Sequence, residues 1–553
     1  MNRLVFSAAI AALSLAPRAH CAPSSAAAAS SATATAPVNC LTFHYDNARL
    51  GWNPRETQLT PTTVRPDNFG MSWKRALDGP VPGSPLVAGS VRIGGKTRAV
   101  VYAATEHNSV FALDAQTGRV LWSSRRLVAP VSEAEFSGSW NNRFRGILST
   151  PVIDLKTQTI YTCGVTRRGL RQQFIVWALD IRNGKLRPGW PQTVRGQYAG
   201  KPFIAGEVMQ RGALSLVNGR LYIPFGGRGD IPPWRGWLIA FNTRRPSAPP
   251  FAFCPSPRTD GAGIWSAAGV TATNQGDVFG VTGNGEVDVH KGGHHLGQTV
   301  FRLRATTSGP SFKKRATDYF TPTNFQHLND QDEDLGGASA VIIPDLPQSS
   351  TRRLLFVGGK DGMGYLLNRD NLGGIGGALQ QVRLFGKPKS IYHEGIRATA
   401  AYFDAGAKGR FLMVAGDEEG AQNKSLVALR ITASGPRGAA RVQPVWTLKA
   451  TIERPSTPIV TSNGARNGVV WLVETRDNPG GVLRAYDALT GRELFNSDQG
   501  EKANRLPQAS RFVSPTVANG RVFLSTSEGI FCFAAGPQPA ATTAIANTAA
   551  PRN

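Results

Sequence analysis

Four short polar runs carry the residue types that could do chemistry. Gly226-Gly227-Arg228-Gly229-Asp230 and Gly283-Asn284-Gly285-Glu286-Val287-Asp288 each interrupt an apolar stretch, and the second is followed by His290, His294 and His295. Asp330, Asp332, Glu333 and Asp334 crowd before Leu335-Gly336-Gly337, and Gly359-Lys360-Asp361-Gly362 follows the apolar run 354–357. Asp230, Asn284 and a carboxylate of the 330–334 run would supply hard oxygen ligands suited to Ca²⁺. Lys360 could set a cation against an anionic oxygen, and Trp265 could offer a flat apolar face to a ring. Asp and Asn beside Gly are also the commonest turn formers, so each run taken alone is better read as a turn. The histidines are zinc-ligand types, although a Gly-rich loop usually leaves them exposed.

These runs lie far apart in the chain, so something must bring them together. The first clear unit has Ser84-Pro85-Leu86-Val87, then 100–105, 110–118 and 120–122, which reads as four short strands bounded by turns. Asp114 caps the turn that Gly118 completes, and Trp122 falls on the outer strand, where its face can fill the gap to a neighbouring unit. Further starts follow at Ser149-Thr150-Pro151, Gly212-Ala213-Leu214, Ile264-Trp265-Ser266, Asp334-Leu335-Gly336, Ile396-Arg397-Ala398, Ser456-Thr457-Pro458 and Ser514-Pro515-Thr516. Eight starts predict an all-β, eight-bladed β-propeller. The last unit lacks its fourth strand, while a spare one lies at 71–77. Pairing the two closes the ring, which a linear solenoid would not need.

Residues 1–21 read as a secretory signal peptide: Asn2 and Arg3 precede an apolar run, 4–16, too short to span a bilayer. This predicts a periplasmic or secreted protein. Residues 22–40 are an Ala/Ser/Thr-rich lead-in, 41–535 a single propeller domain and 536–553 a tail. No later stretch is apolar enough for a membrane span. Lys plus Arg is 62 against 37 Asp plus Glu, but the basic residues are scattered and no nucleic-acid motif is present. If Cys21 leaves with the signal, Cys40, Cys163, Cys254 and Cys532 remain; a Cys40–Cys254 bridge and four buried thiols are the alternatives.

The repeat at 101–122 resembles that of pyrroloquinoline quinone (PQQ) propeller proteins. The wider pattern is similar to a group of secreted bacterial PQQ-like propellers, through Tyr45-Asp46-Asn47-Ala48-Arg49, Thr105-Glu106-His107-Asn108, Asp318-Tyr319-Phe320-Thr321-Pro322 and Arg369-Asp370-Asn371-Leu372-Gly373-Gly374. The resemblance covers about 41–535 and extends distantly to the quinoprotein alcohol dehydrogenases. It implies PQQ and Ca²⁺ on the axis, with Asn284 and Asp230 as metal ligands and Trp265 supporting the ring. It also implies Lys360 against the quinone and Asp334, or failing that Asp332, as base; Arg145 joins the cofactor contacts. The chain departs from those enzymes in having no adjacent cysteines near Glu135-Phe136-Ser137-Gly138 and no Cys-x-x-Cys-His for haem, so any electron acceptor would be a separate partner. Three functions stay open: a dehydrogenase acting on an alcohol or sugar, a non-catalytic envelope propeller binding protein or glycan, and a hydrolase or lyase using the axial carboxylates.

Overall fold

The computed structural model describes residues 36–132, 144–229, 231–307, 309–386, 395–418, 423–433, 438–476, 480–499, 504–510 and 513–536. In these residues the chain forms eight blade sheets, each built on four antiparallel strands and three of them extended by a short fifth strand; seven run in chain order from an inner to an outer strand, and the last takes its outer strand from early in the chain. Blade one is Leu86–Ile93, Lys96–Thr105, Ser109–Asp114 and Val120–Ser124. Residues of alternate parity on it face opposite ways: Leu86, Val100, Tyr102 and Ala112 pack toward blade two, and Val87, Val101, Phe111 and Leu113 toward blade eight. That period of two is what a sheet buried on both faces requires. The core is accordingly divided into clusters between neighbouring blades.

The expected closure is present. The strand Phe69–Ala76 pairs antiparallel with Gly529–Ala535, with Met71 opposite Phe533 and Lys74 opposite Phe531, and completes blade eight. Phe69 is locked there between Phe495, Trp471 and Phe533, at centroid distances of 4.8, 5.4 and 6.0 Å.

Two repeated devices join the blades. The Trp122 ring lies over Gly184 of the next blade, where a Cβ would overlap it, and its Nε1 donates to Ile181 O at 2.9 Å. Trp73 on Gly118 and Trp446 on Gly491 repeat the arrangement, and all three glycines have positive φ. At the inner end, the Ser or Thr at a blade entry accepts an N–H from its neighbour: Ser514 N to Ser84 Oγ at 2.9 Å, Ser84 N to Thr150 Oγ1 at 2.8 Å and Ser339 N to Thr399 Oγ1 at 3.0 Å.

Residues 38–56 meet every blade. Cys40 exchanges two backbone hydrogen bonds with Val87 of blade one. Leu41 O, Asn47 O, Ala48 O, Leu50 O and Gly51 O then accept from Ile153, Ala272, Ile342, Tyr402 and Val460, on blades two, four, five, six and seven. Thr42 Oγ1 donates to Leu214 O at the entry of blade three, and Tyr45 Oη donates to Val517 O of blade eight. A segment that touches all the inner strands must lie across the axis. Arg49, wholly buried, ties this strap together through Phe43 O, Thr42 Oγ1 and Ser215 Oγ.

Cys40, Cys163, Cys254 and Cys532 are all buried free thiols, which corrects the Cys40–Cys254 bridge. Cys40 belongs to the core between blades eight and one, and Cys254 to that between blades two and three. Burial pushes the thiols of Cys40 and Cys254 up to about 12, so neither is a ready nucleophile.

Candidate functional site

Blades three, four and five aim the polar runs at one place. Blade three contributes Arg220–Gly227 and blade four Val278–Val281, with Asn284 just beyond it; blade five contributes Leu354–Gly358, with Lys360 beyond it. These second strands end where the inner strands begin, so the side chains after them meet the blade entries, which carry Trp265 and Asp334.

Lys360 is the centre. Its Nζ lies 3.0 Å from Asp334 Oδ2 and 3.4 Å from Asp332 Oδ2. The Asn284 N–H donates to Asp334 Oδ1 at 2.6 Å, and Asn284 Nδ2 donates to Asp332 Oδ1 at 2.5 Å. Lys360 Nζ also lies over the Trp265 ring, 5.4 Å from its centroid, and the Arg211 guanidinium lies 5.1 Å from the same ring. Asp334 is buried and Asp332 exposed, the latter at a φ of 56°. Burial raises the Asp334 carboxyl above the usual range and Asp332 adds to this, while Lys360 pulls it back down. The result is a carboxylate of raised basicity with one cation and one backbone donor already in place.

Glycine is needed beside it. A Cβ on Gly283 would overlap Asp334 Oδ1 and would lie 2.9 Å from Trp265 Nε1. Gln298, which the sequence reading passed over, orders the polar residues: its Nε2 donates to Asn284 Oδ1 at 2.7 Å and its Oε1 accepts the Leu335 N–H at 2.8 Å. Arg211 was also passed over; its position immediately before the third blade entry was the available signal. Under the site, Phe43 of the strap packs on Ala213 and Ala268, three residues beyond Trp265, and so forms part of its floor.

The expected residues do not all share this setting. Trp265, Asn284, Asp332, Asp334 and Lys360 converge. Asp230 lies outside the described residues. Arg145 is buried and lines a cleft between blades two and three with Gln172, Phe174, Val208 and Gln210. Farther around the axis, Arg397, Asp417 and Arg454 line a small open cleft. The His290–His295 run divides: His290 is exposed, His294 Nε2 contacts Lys314 Nζ at 3.0 Å and His295 is buried.

The donor set fits a calcium–quinone unit in kind. Asn284 Oδ1 has a second lone pair beyond the one used by Gln298. Asp332 and Asp334 add hard oxygens, Lys360 a cation and Trp265 an aromatic surface.

A family model described as PQQ_2, outer membrane protein assembly factor BamB, matches residues 70–140. None of the curated proteins matches the chain. Among solved structures, quinohemoprotein alcohol dehydrogenase from Pseudomonas putida HK5 is similar at 14% identity and a TM-score of 0.59, over 91% of this chain and 81% of that one. The enzyme of the same name from Comamonas testosteroni gives 14% and 0.57, over 91% and 81%. A europium-containing methanol dehydrogenase gives 14% and 0.58, over 90% and 98%. The chain is an eight-bladed propeller with PQQ-type repeats, and its likeness to these enzymes is a likeness of fold.

Proposed function

We propose that the chain is an exported PQQ- and calcium-dependent dehydrogenase that oxidises an alcohol or a sugar and passes electrons to a separate acceptor. The observation that carries this reading is the convergence of Trp265 and Asn284 of blade four with Asp334 and Lys360 of blade five on one axial position. Trp265, Lys360 and Asn284 would hold the cofactor and its ion, with Asp332 and Asp230 as further oxygen donors. Bound there, the quinone supplies a two-electron acceptor. Asp334 is the base: its Oδ2 takes the proton of the substrate hydroxyl, and its raised basicity suits that task. Lys360 holds the carboxylate in place and offsets the charge that develops beside it. The strap below and the Trp265 ring exclude water from that side.

The test is addition of PQQ and Ca²⁺ to the purified full chain, followed by the bound-quinone spectrum and dye reduction with a panel of alcohols and sugars. Asp334→Asn should keep the spectrum and lose turnover by roughly 10²–10⁴-fold. No binding at saturating cofactor overturns the reading. It would favour instead a non-catalytic envelope propeller that binds protein or glycan, to which the BamB description of the matched family model points.

A further inference from the structure

Blade two carries a basic hairpin that outruns its own core. We propose that the tip of this hairpin docks the chain on a bilayer surface of anionic lipid, with the face that bears the axial cluster turned toward the membrane. The inference needs only the fold and is independent of the dehydrogenase reading.

The strands Thr159–Arg168 and Arg171–Asp180 pair along their whole length. Val165 and Phe174 stand opposite one another and are the last pair buried in the core between blades two and three. Beyond them come Thr166 with Gln173, Arg167 with Gln172 and Arg168 with Arg171, which carry the hairpin outward by roughly 10 Å. Gly169 makes the turn at a φ of 60°, and apart from its chain neighbours no atom lies within 4 Å of the place its Cβ would take. The tip therefore stands in solvent.

Folding does not account for what the tip contains. Leu170 is 89% exposed, and the turn takes its conformation from Gly169, after which Asn, Asp or Ser is the usual residue. Arg168 and Arg171 are exposed and directly opposite, an arrangement of like charges that weakens a ladder. Neither makes an ion pair among the described residues, and the sequence has no acidic residue between Asp154 and Asp180. Arg195 adds to the charge: it is exposed and follows Val194, whose N–H donates to Phe174 O at the hairpin's base. One apolar side chain ringed by cations is what an anionic surface with an apolar layer beneath it stabilises.

The tip lies on the axial cluster's side of the ring. It joins the second and third strands of its blade, the connection that in blades four and five holds Asn284 and Lys360. Val208 pairs antiparallel with Gly227 in the next blade, which brings Ile204 and Ile231, 46% and 42% exposed, to the same side. A folded protein partner would need a matching surface of about 800 Å², and a convex tip with one apolar side chain offers no such patch. Lipid headgroups rearrange around a tip, and the arginine stems let Leu170 pass below the phosphates that the guanidiniums hold.

The test is co-sedimentation of the full chain with vesicles of phosphatidylcholine, with and without about 30% phosphatidylglycerol. Binding should require the anionic lipid and weaken steeply as salt rises from about 0.05 to 0.5 M. Arg168→Gln/Arg171→Gln should weaken it by about 25-fold and Leu170→Ser by about tenfold, since each arginine at an anionic surface contributes roughly fivefold and an inserted leucine somewhat more. These side chains are exposed, so the variants keep the fold, which circular dichroism checks. Lys156→Gln/Lys408→Gln removes the same charge from exposed turns between first and second strands, on the opposite face. That control should bind within about twofold of the unmodified chain, because its lysines lie beyond a Debye length of the membrane. Absence of binding to anionic vesicles overturns the proposal, and so does an equal loss in the control, which would make the attraction one of net charge. Binding that survives both tip variants would belong to another segment, such as the apolar run 4–16, and capture by polyglutamate without capture by vesicles would assign the tip to an acidic protein; each of these overturns it as well.

Discussion

Phe69→Ala tests ring closure directly. Phe69 is 1% exposed, on the strand that joins the two ends of the chain, and its ring touches three aromatic rings of blades seven and eight. Truncation removes the ring's burial and leaves a cavity between large side chains that cannot easily collapse, at a cost of about 4 kcal/mol. Domain stabilities are about 5–15 kcal/mol, so the variant should still fold. The loss falls on one strand, and that strand contains Lys74 and Arg75, opposite Phe531 and Ile530. Trypsin can cut after them only when the strand has peeled away. If cleavage follows the population of the peeled form, about 4 kcal/mol raises its rate by ~10³-fold. Limited trypsinolysis in native buffer, with N-terminal sequencing of the fragments, measures this. Phe69→Leu should show a much smaller rise, because most of the volume is retained. Cleavage at Lys74 and Arg75 within about threefold of the unmodified chain, or first cleavage elsewhere, would refute the idea that this strand holds the ring shut.

Two further outcomes follow from the site. Asp361 is 4% exposed, and burial pushes its carboxyl up from 3.8 to about 6. The protonated form is thus favoured on folding; that contribution is complete below pH 3.8 and is lost as pH rises through 6, where keeping the charge buried costs about 3 kcal/mol. Asp361→Asn should therefore stabilise the chain at pH 8 by up to about that amount and change little near pH 4, as read by urea unfolding across pH; equal effects at both pH values would remove the burial argument. Gly283→Ala should force the Asp334 carboxyl off its position, lowering stability by about 1–3 kcal/mol and abolishing dye reduction along with Asp334→Asn; retained turnover would take that carboxylate out of the reaction.

The blades were legible because parts of one local code recur among them, with Ser/Thr-Pro at four of the eight entries. Ser/Thr-Pro marks the inner strand, Asp-x-x-Thr-Gly the turn, and Trp the outer strand; the structure gives each a physical task. The convergence of Asn284, Asp334 and Lys360 was legible too, since polar residues flanked by glycines break strands that otherwise have no reason to break. Residues 38–56 were harder. They bind the blades mostly through backbone carbonyls and at separations of up to 481 residues, and such bonds leave no side-chain pattern. Cysteine spacing likewise says nothing about which thiols are near, which is why Cys40 and Cys254 could be imagined as partners while lying in different cores.

The strap changes what ring closure means. Val38 N donates to Asn519 Oδ1 at 2.7 Å, Asn519 Nδ2 returns a bond to Val38 O at 3.1 Å, and Tyr45 Oη donates to Val517 O at 2.8 Å, so the floor of the axial site hangs in part from the last blade made. Closing a loop of that length costs only slightly more entropy than closing a shorter one, but it must wait for distant strands, so these contacts form late. Phe43 reaches Ala213 and Ala268 through the same segment. A chain whose eighth blade is loosened therefore loses the support beneath Trp265 while blades two to six keep their own interblade cores. In Phe69→Ala, affinity for an axial ligand should fall at denaturant concentrations where far-ultraviolet circular dichroism is still native; coincident loss of binding and strands would mean that the floor is carried by the inner strands alone and that the last blade contributes nothing to it.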